Sequence, residues 1–326
     1  MPELLNDLAD TPEMRRLSGV GMHCGCEYTD IPIYKGESYP YSRLMHSKGV
    51  SWIIWHFTKD IRQAVAGLLH DIATPVFAHT IDFMNDDHVT QESTEEKTLS
   101  FIVNSVPIMA LLHKHDIRLD DVCDYHKYPI ADNDTPMLSA DRLEYTLGNG
   151  HDVFGVEISK IREMYDDLTI AINEYGDQEM CFRSVDIAKA FSKMALKNSY
   201  FYISDEDRYS MQFLAEIVRS AIDAGVLSFD DLFTTEEKVI GKLKQNSALH
   251  GAWDAYTNIS AVSTSADNLH DHYCVKVDAK RRYIDPLALT ASGPKRISRI
   301  DAASRENIES FLKMDFNQWI YTTNNM

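Results

Sequence analysis

The sequence predicts a mainly α-helical fold with a small β-hairpin appendage near the C-terminus. Of the 326 residues, 44% are apolar and 25% are charged, which is enough apolar material for a substantial core. From residue 43 to about residue 255, apolar residues recur at the spacing that buries one face of a helix. Residues 272–289 differ, because they alternate around β-branched residues as strands do.

The length is compatible with two domains, although one large helical domain would also account for it. We expect a helical domain over residues 1–230 and a C-terminal helical and β appendage over residues 231–326, packed on that domain.

The individual helices are predicted from apolar spacing and from capping residues. A loop over residues 24–42 precedes the first long helical run, which divides into two helices near Thr58 and Asp60. A later helix is expected to begin near Ser139 and to end at Gly148, because glycine often follows the last turn of a helix. Further helical patterns cover residues 96–115, 117–127, 157–174, 184–197, 207–225, 235–255 and about 302–315.

Charge and cysteine content exclude several classes of partner and location. The net charge of −18 argues against general nucleic-acid binding and against binding to anionic membranes, because both need a positive field. The five cysteines are scattered, as is typical of reduced thiols in the cytoplasm. We expect neither a signal peptide nor a membrane span, and therefore a cytoplasmic protein. Whether it forms a homo-oligomer is left open.

An adjacent His70-Asp71 pair ends an apolar helical run, where a buried carboxylate is costly unless something pairs with it. His46 lies on the apolar stripe of the preceding helix, and Asp141 opens a later one. Two imidazoles and two carboxylates suit one divalent ion such as Mn, Fe, Ni, Zn or Mg. Taken singly, each residue also has a structural explanation: a core histidine, a loop cap at Asp71, and a favourable helix dipole at Asp141.

Four segments occur in a fixed order over the first half of the chain. They are DTPEMRRL at residues 10–17, RLMHSKGV at 43–50, HDIATPVFAHTID at 70–82 and ADRLEYTL at 140–147. Together they resemble the HD-domain metal-dependent phosphohydrolases, and most closely the deoxynucleoside triphosphate triphosphohydrolase branch. The resemblance implies an HD-domain helical bundle and a metal ion bound by His46, His70, Asp71 and Asp141.

The same resemblance implies candidates for acid–base catalysis. His79 and Asp82 match residues that help to protonate the leaving group. Glu95 stands where the family has a histidine, and either His88 or Glu92 could replace that histidine. The alternative is that this acidic segment only begins a helix. Both interpretations stay open.

Other matched positions concern the substrate. The residues expected to bind it are Arg16, Arg43, Arg142 and Tyr145. Three positions depart from the family. Thr74 replaces a third histidine, while Met22 and Asn149 replace residues that contact the base and the sugar.

The sequence therefore predicts a hydrolase of phosphate esters or anhydrides that acts on a small nucleotide, with (deoxy)nucleoside triphosphates favoured. The expected step is attack of a metal-bound water on phosphorus. One alternative is a nucleoside monophosphatase or phosphodiesterase of the same superfamily. The alternative from another class is a catalytically weak nucleotide-sensing protein, which Thr74 and Asn149 would support. A purely structural metal site is disfavoured, because such sites prefer four strong Cys or His ligands.

Overall fold

The computed structural model describes residues 2–35, 41–85, 87 and 97–322. Helices dominate these ranges, so the predicted mainly α-helical fold is confirmed. The helices are α1 (Glu3–Ala9), α2 (Pro12–Arg16), α3 (Arg43–Thr58), α4 (Ile61–Leu69), α5 (Thr80–Met84), α6 (Thr98–Asn104), α7 (Val106–Lys114), α8 (Ala140–Asp152), α9 (Ile158–Asp166), α10 (Val185–Tyr202), α11 (Asp205–Asp223), α12 (Glu236–Gln245), α13 (Ser247–Thr257), α14 (Ile297–Ile300) and α15 (Ala302–Leu312).

Two small sheets accompany the helices. The strands are β1 (Leu168–Ile172), β2 (Gln178–Phe182), β3 (Ser263–Ser265), β4 (Cys274–Val275), β5 (Leu287–Thr290), β6 (Gly293–Arg296) and β7 (Trp319–Tyr321). One sheet has the order β1-β2-β5-β6, with β2 and β5 parallel and the other pairs antiparallel. The second sheet has the order β3-β7-β4 and is antiparallel.

Two predictions about the sheets are wrong. The helix expected over residues 157–174 ends at Asp166, and the β-branched stretch that follows forms β1. A turn closed by the Asn173 amide on the Asp177 carbonyl then leads into β2. The hairpin expected over residues 272–289 does not form, because β4 and β5 lie in different sheets. Strand β5 instead makes a hairpin with β6, which follows it.

Several helix boundaries differ from their predictions for identifiable local reasons. Ser105 caps α7 and so divides the run over residues 96–115. In the same way, Asn246 accepts bonds from two backbone amides and separates α12 from α13. Residues 117–127 form two short 3-10 turns rather than a helix. Helix α8 continues past Gly148, which provides space rather than an end: a Cβ there would lie 2.7 Å from the Tyr41 hydroxyl oxygen.

The predicted division between α3 and α4 is confirmed. Lys59 ends α3 in the left-handed conformation with φ of 56°, and the Asp60 carboxylate caps α4 by accepting from the Arg62 amide at 2.9 Å. The two helices pack against each other, and α8 packs against α3. This three-helix arrangement brings the candidate metal ligands toward a common point.

The main core is continuous from Leu4 to Ile320 and is formed by buried apolar side chains from most of the helices. Residues on both sides of the predicted boundary at residue 230 contribute to it; for example, the rings of Phe77 and Trp253 lie 6.4 Å apart. The division into two domains stays a prediction. Among the described helices, none combines the length and hydropathy that a membrane span requires.

Candidate metal centre

Helices α3, α4 and α8 bring two imidazoles and a carboxylate to one point. His46 is buried on α3, His70 directly follows α4, and Asp141 lies in the first turn of α8. Their candidate ligand atoms all lie within 4.8 Å of one another. The Asp141 Oδ1 atom is 2.9 Å from Nε2 of His46 and 3.6 Å from Nε2 of His70. The long separation in sequence between these residues is thus closed by helix packing.

Asp71, the fourth predicted ligand, also lies close to both imidazoles. Its Oδ2 atom lies 3.6 Å from Nε2 of His70 and 3.9 Å from Nε2 of His46. The same oxygen is 3.2 Å from Nη1 of Arg43, while Oδ1 accepts a 2.7 Å hydrogen bond from the Thr74 hydroxyl. Thr74 therefore fixes the orientation of the carboxylate. All four predicted ligands come together, and their role as ligands stays a prediction.

Both histidines are held by their outer nitrogen atoms. Nδ1 of His70 lies 2.7 Å from the carbonyl oxygen of Gly67, and because a carbonyl can only accept, this nitrogen carries a proton. Nδ1 of His46 is hydrogen-bonded to the Glu144 carboxylate. Histidines that bind metals usually donate from the second ring nitrogen to a carboxylate or a carbonyl in this way. The two Nε2 atoms are consequently turned toward the carboxylates at the centre.

Glu144 is a residue of this site that the sequence did not reveal. It lies one turn after Asp141 on α8, so both carboxylates face α3. Besides its bond to His46, it accepts a hydrogen bond from the Tyr41 hydroxyl. Gly49 makes this approach feasible, because a Cβ at that position would lie 2.5 Å from the Glu144 Oε1 atom. The Asp-x-x-Glu spacing was the available signal.

The electrostatic environment of the centre is strongly negative at the imidazoles. Burial lowers the pKa of His46, but the Glu144 and Asp141 carboxylates outweigh it and raise the value to about 10. Burial raises the pKa of Asp71, but the charges of His70 and Arg43 outweigh it and hold the value far below its usual range. The centre therefore favours positive charge beside ionised carboxylates.

The residues present fit a divalent cation. Because Nδ1 of His70 carries a proton, the Nε2 atom of a neutral ring has a lone pair that faces the Asp71 and Asp141 carboxylates. A cation, or a second proton on the ring, is needed to offset the repulsion between this nitrogen and the two carboxylates. Imidazole nitrogen and carboxylate oxygen are the ligand types that Mn, Fe, Ni and Zn accept. These ligand types alone do not distinguish among the four metals.

Of the predicted acid–base residues, His79 and Asp82 lie within the described part of the chain. His79 directly precedes α5, and its Nδ1 atom lies 2.9 Å from Oδ2 of Asp82. The side chain of His79 is 32% exposed, whereas that of Asp82 is buried. This contact orients the imidazole, as a carboxylate does for a general acid or base. His88, Glu92 and Glu95 lie outside the described residues.

Two of the predicted substrate-binding arginines are already bound to protein acceptors. Arg16 donates from Nη2 to the Ile72 and Thr74 carbonyl oxygens at 2.9 and 2.8 Å, so it supports the turn after the His-Asp pair. Arg142 donates from Nη1 to the Met137 carbonyl and the Asn133 side chain at 2.7 and 2.9 Å. For both, substrate binding stays a prediction. Asn133 and Met137 also line a cavity of about 240 Å³.

Arg43 differs from these two arginines. It is buried beside Asp71, to whose carboxylate its Nη1 atom donates at 3.2 Å, whereas Arg16 and Arg142 donate to backbone carbonyls. Its Nε atom, like that of Arg16, has no hydrogen-bond partner among the described residues. Burial lowers its pKa, but Asp71 and other nearby acidic groups raise it above its ordinary value, so the guanidinium is charged. A buried, charged guanidinium with a donor that no protein acceptor occupies is suited to an anionic ligand.

Tyr145 and Asn149, which were expected near the phosphate and the sugar of a substrate, both contact Tyr202. Tyr145 lies one turn after Asp141, and its ring is 5.9 Å from that of Tyr202 in an edge-on arrangement. Asn149 donates to the Tyr202 hydroxyl at 2.7 Å, and its Oδ1 atom lies 3.3 Å from Nε2 of His23. Asn149 is therefore bound on both sides by protein.

Comparisons with curated proteins give two distant relatives. No protein-family model matches the chain. An uncharacterized protein of Bacillus subtilis, YdhJ, is 24% identical over 205 residues, which cover 62% of this chain and 61% of that protein. A metal-dependent phosphohydrolase of Cordyceps militaris, cns2, is 26% identical over 144 residues, which cover 44% of this chain and 39% of that protein. The chain thus matches less than two thirds of the length of either relative.

Solved structures match over nearly the whole chain. A hypothetical protein from Aquifex aeolicus has a TM-score of 0.65 at 17% identity and covers 99% of this chain and 93% of its own. A protein from Bacteroides thetaiotaomicron described as a phosphohydrolase has a TM-score of 0.68 at 16% identity and covers 100% of this chain and 97% of its own. The chain therefore has a fold that both of these bacterial proteins share along almost their full length.

Proposed function

We propose that this protein is a metal-dependent hydrolase of phosphate esters or anhydrides, of the HD type. The observation that carries the proposal is the centre itself: the Nε2 atoms of His46 and His70 are turned toward the carboxylates of Asp71 and Asp141 by bonds on their Nδ1 atoms. The names of the fungal relative and of the Bacteroides structure support the same reaction class.

The residues around the centre have distinct roles in this proposal. A divalent cation bound by His46, His70, Asp71 and Asp141 would act as a Lewis acid and lower the pKa of water. Arg43 would bind a phosphate oxygen through donors that Asp71 does not occupy, and so neutralise charge that develops in the transition state. His79, oriented by Asp82, would deliver a proton to the leaving oxygen.

We propose a nucleotide as the substrate, with (deoxy)nucleoside triphosphates as the leading class. Tyr145 and Tyr202 provide aromatic surface one turn beyond Asp141, where a sugar or a base can pack. Asn149 is bound to His23 and Tyr202, and Met22 offers no side-chain hydrogen bond to a base. We therefore expect little discrimination among bases.

One observation favours a second candidate, a nucleoside monophosphatase or phosphodiesterase. A triphosphate chain needs several cationic groups beyond a metal ion. Arg16 and Arg142, however, already donate to backbone carbonyls, which leaves fewer free cations for a long phosphate chain.

Product analysis tests the proposal and separates the candidates. Protein loaded with Mn, Fe, Ni, Zn or Mg is incubated with mono-, di- and triphosphates and with cyclic nucleotides, and the products are followed by phosphorus NMR. Tripolyphosphate would identify a triphosphohydrolase, and orthophosphate from monophosphates would identify the second candidate. Absence of turnover with every metal and every compound would contradict the proposed function. Tight nucleotide binding without turnover would instead indicate a sensing protein.

A further inference from the structure

Residues 276–286 form an irregular segment that crosses from α11 to the start of α8. Arg208, in the first turns of α11, donates to the Val277 carbonyl at 2.7 Å and holds one end. The Asp285 amide donates to the Pro136 carbonyl at 2.9 Å and holds the other end near the residues that precede α8. The segment is thereby fixed against two of the elements that surround the candidate site.

Two consecutive arginines in this segment lie in different environments. Arg281 is exposed, donates from Nη2 to the Met314 carbonyl at 2.6 Å, and has its guanidinium 4.7 Å from the centre of the Phe316 ring. Arg282 is half-buried. In the parts of the chain that the structure describes, Arg282 makes neither a hydrogen bond nor an ion pair, so the five donors of its guanidinium are available.

The charge of Arg282 acts on side chains from several elements of the candidate site. Burial lowers the pKa of His79, and Arg282 lowers it further. Burial raises the pKa of Tyr145 to about 12, and Arg282 opposes this rise. Burial likewise raises the pKa of Asp207 to about 7, again against the effect of Arg282. These groups begin α5, lie on α8 and begin α11, so the charge of Arg282 reaches three elements of the candidate site, two of which also anchor the segment through Val277 and Asp285.

We propose that Arg282 is a substrate-binding residue whose guanidinium binds a phosphate group of the substrate beside His79 and Tyr145. A half-buried cation without a protein acceptor has lost part of its hydration, and a phosphate restores the lost interactions with charge-assisted hydrogen bonds. Guanidinium is suited to this role because its donors match two phosphate oxygens at once. The inference rests on the proposed function, since it assumes a phosphorylated substrate in this site.

Arg281 provides a matched control for the test. Arg282→Ala and Arg281→Ala remove the same side chain from neighbouring positions of one segment. The binding of pyrophosphate to metal-loaded protein is measured by calorimetry for the wild type and both variants, and the metal content of each protein is checked. We expect Arg282→Ala to weaken pyrophosphate binding by about tenfold or more, the loss that corresponds to one charge-assisted hydrogen bond. Arg281→Ala should bind it as the wild type does.

Two further variants keep the result interpretable. Arg282→Lys should restore part of the affinity, because it returns the charge without the paired donors. Arg282→Gln replaces Arg282→Ala if the alanine variant does not fold. Equal pyrophosphate affinity in the wild type and the Arg282 variants, or an equal loss in Arg281→Ala, would overturn the inference. Turnover is scored separately: an inactive wild type that binds pyrophosphate through Arg282 would contradict the proposed function and keep the assignment of Arg282.

Discussion

The two histidines at the centre and two of the surrounding arginines differ in which of their side-chain nitrogen atoms bind other protein groups. His46 and His70 use Nδ1 for protein contacts and turn Nε2 toward the carboxylates. Arg16 and Arg142, in contrast, donate hydrogen bonds from their terminal nitrogen atoms to backbone carbonyls and, for Arg142, to the Asn133 side chain. All four residues match positions of the family pattern. A residue can therefore match a motif in type and position while its hydrogen-bond donors stabilise the fold and are not free to bind a substrate.

The largest effect is expected from Asp71→Ala. Asp71 faces both imidazoles and, in the part of the chain that the structure describes, is the only ion-pair partner of Arg43. Its removal deletes a ligand and leaves Arg43 as a buried positive charge that repels a cation. We expect loss of stoichiometric metal, measured by elemental analysis, together with loss of activity. Asp120→Ala, at an exposed position, is the control and should keep the metal. Retention of one metal ion per chain in Asp71→Ala would disprove the four-ligand centre.

The next effect in size separates an arginine that is paired with a carboxylate of the centre from one that is bound to backbone carbonyls. Arg43→Ala should retain the metal but lower kcat/KM by about a hundredfold, as loss of a charge-assisted contact to phosphate predicts. Arg16→Ala should instead lower the free energy of unfolding by about 1–3 kcal/mol, because the Ile72 and Thr74 carbonyls lose their donor. Steady-state kinetics and urea unfolding of both variants test this contrast. The reverse pattern, with kinetics altered only in Arg16→Ala, would return Arg16 to the substrate site.

The features that the sequence predicted well are those that depend on residues close together in the chain. Apolar spacing and capping residues place α3, α4 and α8, and the positions of His46, His70 and Asp141 follow from them. The contact between Glu144 and His46 depends on how closely two distant helices approach at Gly49, which periodicity does not encode.

The sheets were predicted poorly for the same reason. A five-residue strand such as β1 is too short for its pattern to be distinguished from the end of a helix. Strand β2 pairs in parallel with β5, which lies far away in the sequence, so neither strand carries a local signal of its partner. Arg16 and Arg142 could not be assigned either, because their carbonyl acceptors are backbone groups that no motif reveals.

A smaller effect on the metal itself is expected from Glu144→Gln. The substitution keeps the shape of the side chain but removes the negative charge that holds Nδ1 of His46. Loss of a partner that orients a ligand typically weakens metal binding by about 10–100-fold. Tyr41→Phe, which removes only the second bond to Glu144, should have a weaker effect. Competition with a chelator of known affinity measures both, and unchanged metal affinity in Glu144→Gln would make Glu144 a structural residue only.

The smallest effect concerns a carboxylate in an environment opposite to that of Asp71. Glu236 is buried and accepts bonds from the Gly21 amide at 3.0 Å, the Tyr28 hydroxyl at 2.8 Å and the Phe77 amide at 3.3 Å. Histidines and Arg43 lower the pKa of Asp71, whereas burial and the neighbouring Glu27 raise that of Glu236 to about 7. Burial also raises the pKa of Glu27, so this pair of neighbouring carboxyl groups favours a bound proton in the folded state.

This difference predicts the direction in which stability depends on pH. Between the ordinary glutamate pKa of 4.5 and about 7, the folded state holds a proton at Glu236 that the unfolded chain has released. Its contribution to the free energy of unfolding is thus fully present below pH 4.5 and is lost as the pH rises through about 7. Glu236→Gln cannot titrate and keeps an oxygen acceptor, so its unfolding free energy should fall less over that window. Urea unfolding at several pH values compares the two proteins. If the plots of unfolding free energy against pH are parallel for the two proteins, the pKa of Glu236 is not raised in the folded state. The predicted contrast between the pKa of Glu236 and that of Asp71 would then be wrong.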